Sequence, residues 1–164
     1  LKLARLDAGA IMFHPELHEA HAVLEKACTP LSIAAELREQ TLRIDAPEGM
    51  RVKCDLNWTA EALLNVVKNC VEHTPKGGVV TVSARQNPLY ALFTVKDTGE
   101  GIAKEDQPHL FERFYRGKNA SPDSVGIGLA MARTILRAQG GEISVQSSPG
   151  QGSTFSLKVF NQVT

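Results

Sequence analysis

Aromatic side chains are scarce in this chain, at 5% of 164 residues, and neither sign of charge is in excess: eighteen Lys and Arg offset eighteen Asp and Glu. Without a basic surplus, nothing draws the protein onto nucleic acid or an anionic membrane, and neither is expected as a partner. No stretch is long and apolar enough to span a bilayer, and the opening residues do not read as a signal peptide. The cysteines Cys28, Cys54 and Cys70 are isolated, odd in number and without CxxC spacing. They read as reduced core thiols of a cytosolic protein, not as a disulfide frame or a zinc site. His14, His18 and His21 share helical spacing, but Pro15 interrupts them and no fourth ligand is placed. A P-loop is also missing. The Gly117-Lys118 pair has Glu112 where the earlier glycine should stand and Asn119 where Ser or Thr is needed.

What is present fits one compact domain with an ordinary core: 43% of residues are hydrophobic. The organisation reads as mixed α and β. Residues 1–10 look like the end of a helix, with Leu3 and Leu6 ahead of Gly9. Residues 19–40 carry Val23, Leu24, Ala27, Leu31, Ala34 and Ala35 at helical spacing, with a bend at Pro30. Two short strands, 42–45 and 50–54, flank a Pro-Glu-Gly turn. Asp55 or Asn57 caps a helix running to about His73, which Thr74-Pro75 ends. Residues 79–85 and 89–96 form a hairpin around Gln86-Asn87-Pro88. Residues 103–125 lack periodicity, and so long a connection points to a functional lid. A helix from about Gly126 ends at Gly140-Gly141, followed by strands at 142–146 and 153–159. No internal repeat is present.

Four stretches carry the chemistry: Asn65-Val-Val-Lys-Asn69, Asp97-Thr-Gly-Glu-Gly101, Gly126-Ile-Gly128-Leu-Ala130 and Gly150-Gln-Gly-Ser-Thr154. Each alone has a plain reading. Asn69 could be a hydrogen-bonded core amide, Asp97 a strand-ending turn, and Phe111, Phe114 and Tyr115 core aromatics. Gly126-Ile-Gly128 lacks the third glycine of a dinucleotide fingerprint. Together they are more specific. A carboxylate before two glycines accepts from a nucleobase amine where the chain turns close to the ligand. A glycine pair opening a helix offers backbone N–H groups and a positive dipole end to phosphates. Amides four apart on a helix share a face on which a phosphate-bridging metal can sit. In this order they describe a Mg-nucleotide site.

Over essentially its whole length the chain resembles the catalytic, ATP-binding domain of bacterial sensor histidine kinases, within the wider group that includes gyrase, Hsp90 and MutL ATPases. Leu63-Leu-Asn65-Val-Val-Lys-Asn69 is similar to the asparagine box of that family. Asp97-Thr-Gly99-Glu-Gly101-Ile102 is similar to its first glycine box, and Leu110-Phe-Glu-Arg-Phe-Tyr-Arg116 to its phenylalanine box. Gly126-Ile127-Gly128-Leu129-Ala matches the second glycine box, and Gly150-Gln-Gly152-Ser-Thr154-Phe the last. Residues 3–9 resemble the end of a dimerisation-domain helix, which divides the chain into a linker at 1–10 and a catalytic domain at 11–164.

The resemblance implies a two-layer α/β sandwich, a mixed sheet with helices on one face, holding ATP and Mg²⁺ beneath a flexible lid. By the same likeness Asn69 would ligate Mg²⁺ and Asn65 would assist at the phosphates. Asp97 would take the adenine amine, with Gly99, Gly101 and Ile102 around the base and Thr154 supporting it, and His73 would stack on the ring. Gly126, Ile127, Gly128 and Leu129 would cradle the phosphates, and Arg113, Arg116 and Lys118 would supply cations. The implied reaction passes the γ-phosphoryl group to a histidine of a separate dimerisation domain and then to a response regulator. A homodimeric protein is implied, with this part cytoplasmic, without membrane contact of its own, and belonging to a membrane-bound sensor. Three departures stand out: Glu72 and His73 replace a frequent Lys and Tyr, and Ser124 a frequent glycine. Two other readings stay open at this point, a non-catalytic nucleotide-sensing module and a gyrase/Hsp90-like ATPase with a general base near Asn65.

Overall fold

The computed structural model describes residues 12–115 and 128–161. In chain order the elements are β1 (Glu16–Glu19), α1 (Ala20–Cys28), a 3₁₀ turn (Thr29–Leu31), α2 (Ser32–Leu37), β2 (Thr41–Asp45), β3 (Arg51–Cys54), α3 (Leu56–His73), β4 (Val79–Gln86), β5 (Tyr90–Asp97), a second 3₁₀ turn (Gln107–His109), α4 (Gly128–Ala138), β6 (Glu142–Ser147) and β7 (Ser153–Phe160). The helix expected over 19–40 is broken where Pro30 lacks an N–H, giving α1, a 3₁₀ turn and α2. The residues expected to form the end of a dimerisation helix lie outside the described range.

Five strands form one sheet in the order β2-β4-β5-β7-β6, with β2 parallel to β4 and the other neighbours antiparallel. A second, two-stranded sheet pairs β1 with β3. The two strands on either side of the Pro-Glu-Gly turn therefore join different sheets. Strand β1 has no counterpart in the sequence reading, because three of its four residues are exposed and it shows no core-facing alternation.

Two-residue periodicity gives the large sheet one covered face. Val80, Val82 and Ala84 of β4, Ala91, Phe93 and Val95 of β5, and Phe155, Leu157 and Val159 of β7 are all buried. Onto them pack Val23 and Leu24 of α1, Leu63, Val66 and Val67 of α3, and Ile135 and Leu136 of α4. This is the expected two-layer α/β sandwich.

Helix α3 is the central beam. Asp55 caps it, Oδ1 accepting from Trp58 N at 2.9 Å, while Oδ2 accepts from His14 N at 2.8 Å. Such a cap contributes about 1 kcal/mol. Gln139, just past α4, accepts from Asp55 N at 3.0 Å and donates to Thr59 Oγ1 at 3.2 Å, tying the two helices together. At the other end Gln40 Nε2 donates to Val71 O at 2.8 Å and Thr74 O at 2.6 Å, satisfying carbonyls the helix leaves open.

Candidate nucleotide-binding site

Spacing of four puts Asn65, Asn69 and His73 along one face of α3, and all three are half-buried. Asn65 Nδ2 donates to Glu61 O at 3.0 Å. A Cβ added at Gly128 would lie 3.6 Å from Asn65 Oδ1, so the first turn of α4 meets the Asn65 amide with no side chain between. Asn69 makes no side-chain hydrogen bond among the described residues, unlike a structural core amide. An amide with unused oxygen lone pairs, one helical turn from the asparagine that meets the start of α4, suits a magnesium ion, which keeps several waters and takes the rest of its shell from phosphates.

The expected base-side residues converge at the end of β5. Asp97 is only 4% exposed. Its Oδ1 accepts from Gly99 N at 2.9 Å and from Ser153 N at 3.2 Å, which fixes the plane of the carboxylate. Cys70 of α3 is wholly buried. Burial first, then the negative charge of Asp97, holds its thiol well above the ordinary pKa, so it stays protonated.

The glycines around Asp97 answer to protein crowding. A Cβ at Gly99 would stand 2.5 Å from His73 O. At Gly101, with φ +77°, a Cβ would meet Ser148 O at 2.1 Å, and at Gly152, with φ +75°, it would meet Asp97 O at 2.2 Å. The loop after Asp97 is thus clamped between the end of α3 and the β6–β7 turn. Ser147 Oγ accepts from Ile102 N at 2.8 Å and donates to Gly152 O at 2.9 Å, and Gln107 Nε2 donates to Ile102 O at 3.0 Å and Ser147 O at 3.1 Å. Ile102 and Leu129 are half-buried and pack against the core.

One expectation is corrected. Thr154 pairs with Lys96, and Ser153 with Asp97. Alternation therefore turns the Thr154 side chain to the sheet face opposite Asp97, and the support expected from it comes from Ser153, which is buried. Cys70 is a free, buried thiol as expected, whereas Ser153 and Ser147 escaped the sequence reading. The Gly-x-Gly-Ser pattern with a two-residue period pointed to Ser153 all the same.

The expected lid begins as a folded segment. Leu110 and Phe111 pack on the core, Phe111 edge-on to Phe155 with ring centroids 6.4 Å apart. Tyr115 donates to Asp106, and His109 Nδ1 lies 2.9 Å from Glu112 Oε1. Phe114 is instead 71% exposed, with φ +64°. Arg113 is exposed. Arg116, Lys118, Gly126 and Ile127 lie outside the described residues, as does Ser124.

Residues 54–162 match the family described as "Histidine kinase-, DNA gyrase B-, and HSP90-like ATPase". The chain belongs to this family. The sensor-like histidine kinase SenX3 of Mycobacterium tuberculosis is 34% identical over 160 residues, covering 96% of this chain and 39% of that protein. Among solved structures, full-length ShkA in complex with AMPPNP superposes with a TM-score of 0.84 at 26% identity, over 99% of this chain and 34% of that one. The mycobacterial sensor histidine kinase MprB gives a TM-score of 0.78 at 24% identity, over 91% of this chain and all of that one, and shares the fold. This chain is thus an ATP-binding domain of the sensor histidine kinase type, spanning about two fifths of SenX3. Among the described residues no helix is long and apolar enough to cross a membrane.

Proposed function

We propose that residues 11–164 bind Mg-ATP and transfer its γ-phosphoryl group to a histidine of a dimerisation domain, from which it passes to a response regulator. Residues 1–10 would be the end of the helix joining the two domains. The full protein would be a homodimer and membrane-anchored, with this domain in the cytoplasm. The observation that carries the reading is the meeting of Asn65 with the bare Gly128 turn of α4, alongside the buried, plane-locked Asp97.

In this reading Asp97 accepts from the exocyclic amine of adenine, and the carbonyl that guanine presents there is repelled. Gly99, Gly101 and Ile102 shape the loop beside the base, and His73 stacks on it with less area than a tyrosine would. Gly128 and Leu129 open α4, whose N–H groups and dipole would hold the phosphates, with Gly126 and Ile127 joining that cradle by the family likeness. Asn69 would hold Mg²⁺, with Asn65 beside it, and a bound ion would supply charge neutralisation at the phosphates. Arg113, Arg116 and Lys118 add cationic charge from the lid. Asn65 is an amide and removes no proton. An acceptor imidazole brings its own lone pair, so the domain's work is positioning and charge stabilisation.

The test is to incubate the chain with labelled ATP, alone and with a matching dimerisation domain. Acid-labile label should appear on the partner's histidine and not on this chain, despite its own five histidines. Binding without transfer would favour a sensing module. Steady hydrolysis without the partner would favour a gyrase-like ATPase.

A further inference from the structure

A helix leaves its last four carbonyls without partners of its own, and in α3 these are the oxygens of Cys70, Val71, Glu72 and His73. Thr74 Oγ1 donates to Cys70 O at 2.7 Å, Gln40 Nε2 to Val71 O at 2.8 Å and Arg38 Nη2 to Glu72 O at 3.0 Å. Gln40 Nε2 also reaches Thr74 O, at 2.6 Å. His73 O receives no hydrogen bond among the described residues. It is the oxygen that Gly99 backs onto, 2.5 Å from where a Cβ would stand. Gln40 and Arg38 come from one turn. There α2 ends in a Schellman arrangement, with Gln40 N donating to Ala35 O and Glu39 N to Glu36 O, each at 2.9 Å. Glu39 takes the left-handed position that glycine usually fills, with φ +54°. Gly77 N on its carbonyl at 3.0 Å and Lys76 Nζ on its carboxylate at 2.7 Å hold it there. Gln40 is only 9% exposed, and its Oε1 has no partner among the described residues. A buried amide that leaves its own oxygen unpaired gains only through its N–H bonds. Both of those are directed at the last turn of α3.

We infer that Gln40 and Arg38 are positioning residues for base recognition, a clamp on the last turn of α3 that sets His73 against the adenine ring and Gly99 beside Asp97. The inference rests on the base-binding roles proposed for His73 and Asp97. Gly99 N donates to Asp97 Oδ1 at 2.9 Å, so a shift of the His73 carbonyl passes through Gly99 to the carboxylate. The phosphate end, where Asn65 meets Gly128, is eight residues back along α3, about 12 Å, and stands apart from the clamp.

Gln40→Met keeps the length of the side chain and removes both donors. Nuclear magnetic resonance at saturating Mg-ATP reads the two ends of the site separately. The His73 ring protons shift when adenine stacks on them, and the Asn69 side-chain amide responds at the phosphates. Gln40→Met should cut the ATP-induced His73 shift by roughly half or more and weaken ATP binding roughly five- to tenfold. The Asn69 response, and the factor by which Mg²⁺ strengthens ATP binding, should stay within about twofold. A merely structural role would diminish the His73 and Asn69 responses together. That outcome overturns the inference, as does a Gln40→Met variant with an undiminished His73 shift. Absence of a His73 shift in the unmutated chain would instead overturn the proposed stacking. Should Gln40→Met not fold, Arg38→Ala decides, because it removes only an exposed donor. It should reduce the His73 shift and spare Asn69; an unchanged His73 shift would refute the clamp.

Discussion

Replacing Gly152 by alanine separates two costs that usually come together. Gly150 and Gly152 belong to the same turn and both have positive φ, +83° and +75°. Alanine in that region costs about 1 kcal/mol at either position. Only their surroundings differ. A Cβ at Gly150 meets nothing within 4 Å, while at Gly152 it lands 2.2 Å from Asp97 O and 3.1 Å from the same carbonyl carbon. Ordinary contact begins near 3.4 Å, so one backbone segment must retreat by about 1 Å. Overpacking of that kind adds roughly 1–3 kcal/mol. Gly150→Ala should then cost about 1 kcal/mol in denaturant titration and leave ATP affinity within about twofold. Gly152→Ala should cost roughly 2–4 kcal/mol and weaken ATP binding tenfold or more, because the shift falls on Asp97 and on the Ser153 N–H that holds it. Equal stability losses from the two variants, or unchanged ATP affinity in Gly152→Ala, would refute the reasoning.

Two further outcomes are expected. Asn69→Ala should weaken Mg²⁺-dependent ATP binding by roughly an order of magnitude, while binding measured in excess chelator changes little; calorimetric titration under both conditions checks this. Stability should also fall at alkaline pH. Burial raises the Cys28 and Cys54 thiols from 9.0 to about 11, so between those values the unfolded chain has released protons that the folded chain keeps, and stability declines as pH rises. Denaturant midpoints from pH 8 to 11 should show this decline, and replacing both cysteines by alanine should make it shallower, the buried Cys70 thiol supplying what remains.

Much of the fold was legible because local signals agreed. The i, i+3, i+4 pattern from Thr59 to Val71, the Asp55 cap and the Thr74-Pro75 stop bound α3 without tertiary help. The β4–β5 hairpin followed from alternation on both sides of Asn87-Pro88. What escaped depended on distant partners. The exposed Glu16–Glu19 segment becomes a strand only because β3 offers it an edge, and β2 finds its parallel partner β4 across the whole of α3. The choice between Thr154 and Ser153 needed the register of β7 against β5. Residue types at a site can be read along a chain, but which face each one occupies is set by pairing across it.

The fastening of α4 has a mechanical consequence. Gln139 ties its C-terminal end to Asp55 and Thr59 at the start of α3, while its first residue, Gly128, lies against Asn65. Gln139 is therefore the fulcrum for any tilt of α4 against α3, with the phosphate end about 15 Å away. A tilt of about 4° about that fulcrum carries the Gly128 amide by about 1 Å, the difference between a hydrogen bond and none. Small rotations at a remote knot of side chains are thereby converted into make-or-break displacements where the phosphates would lie.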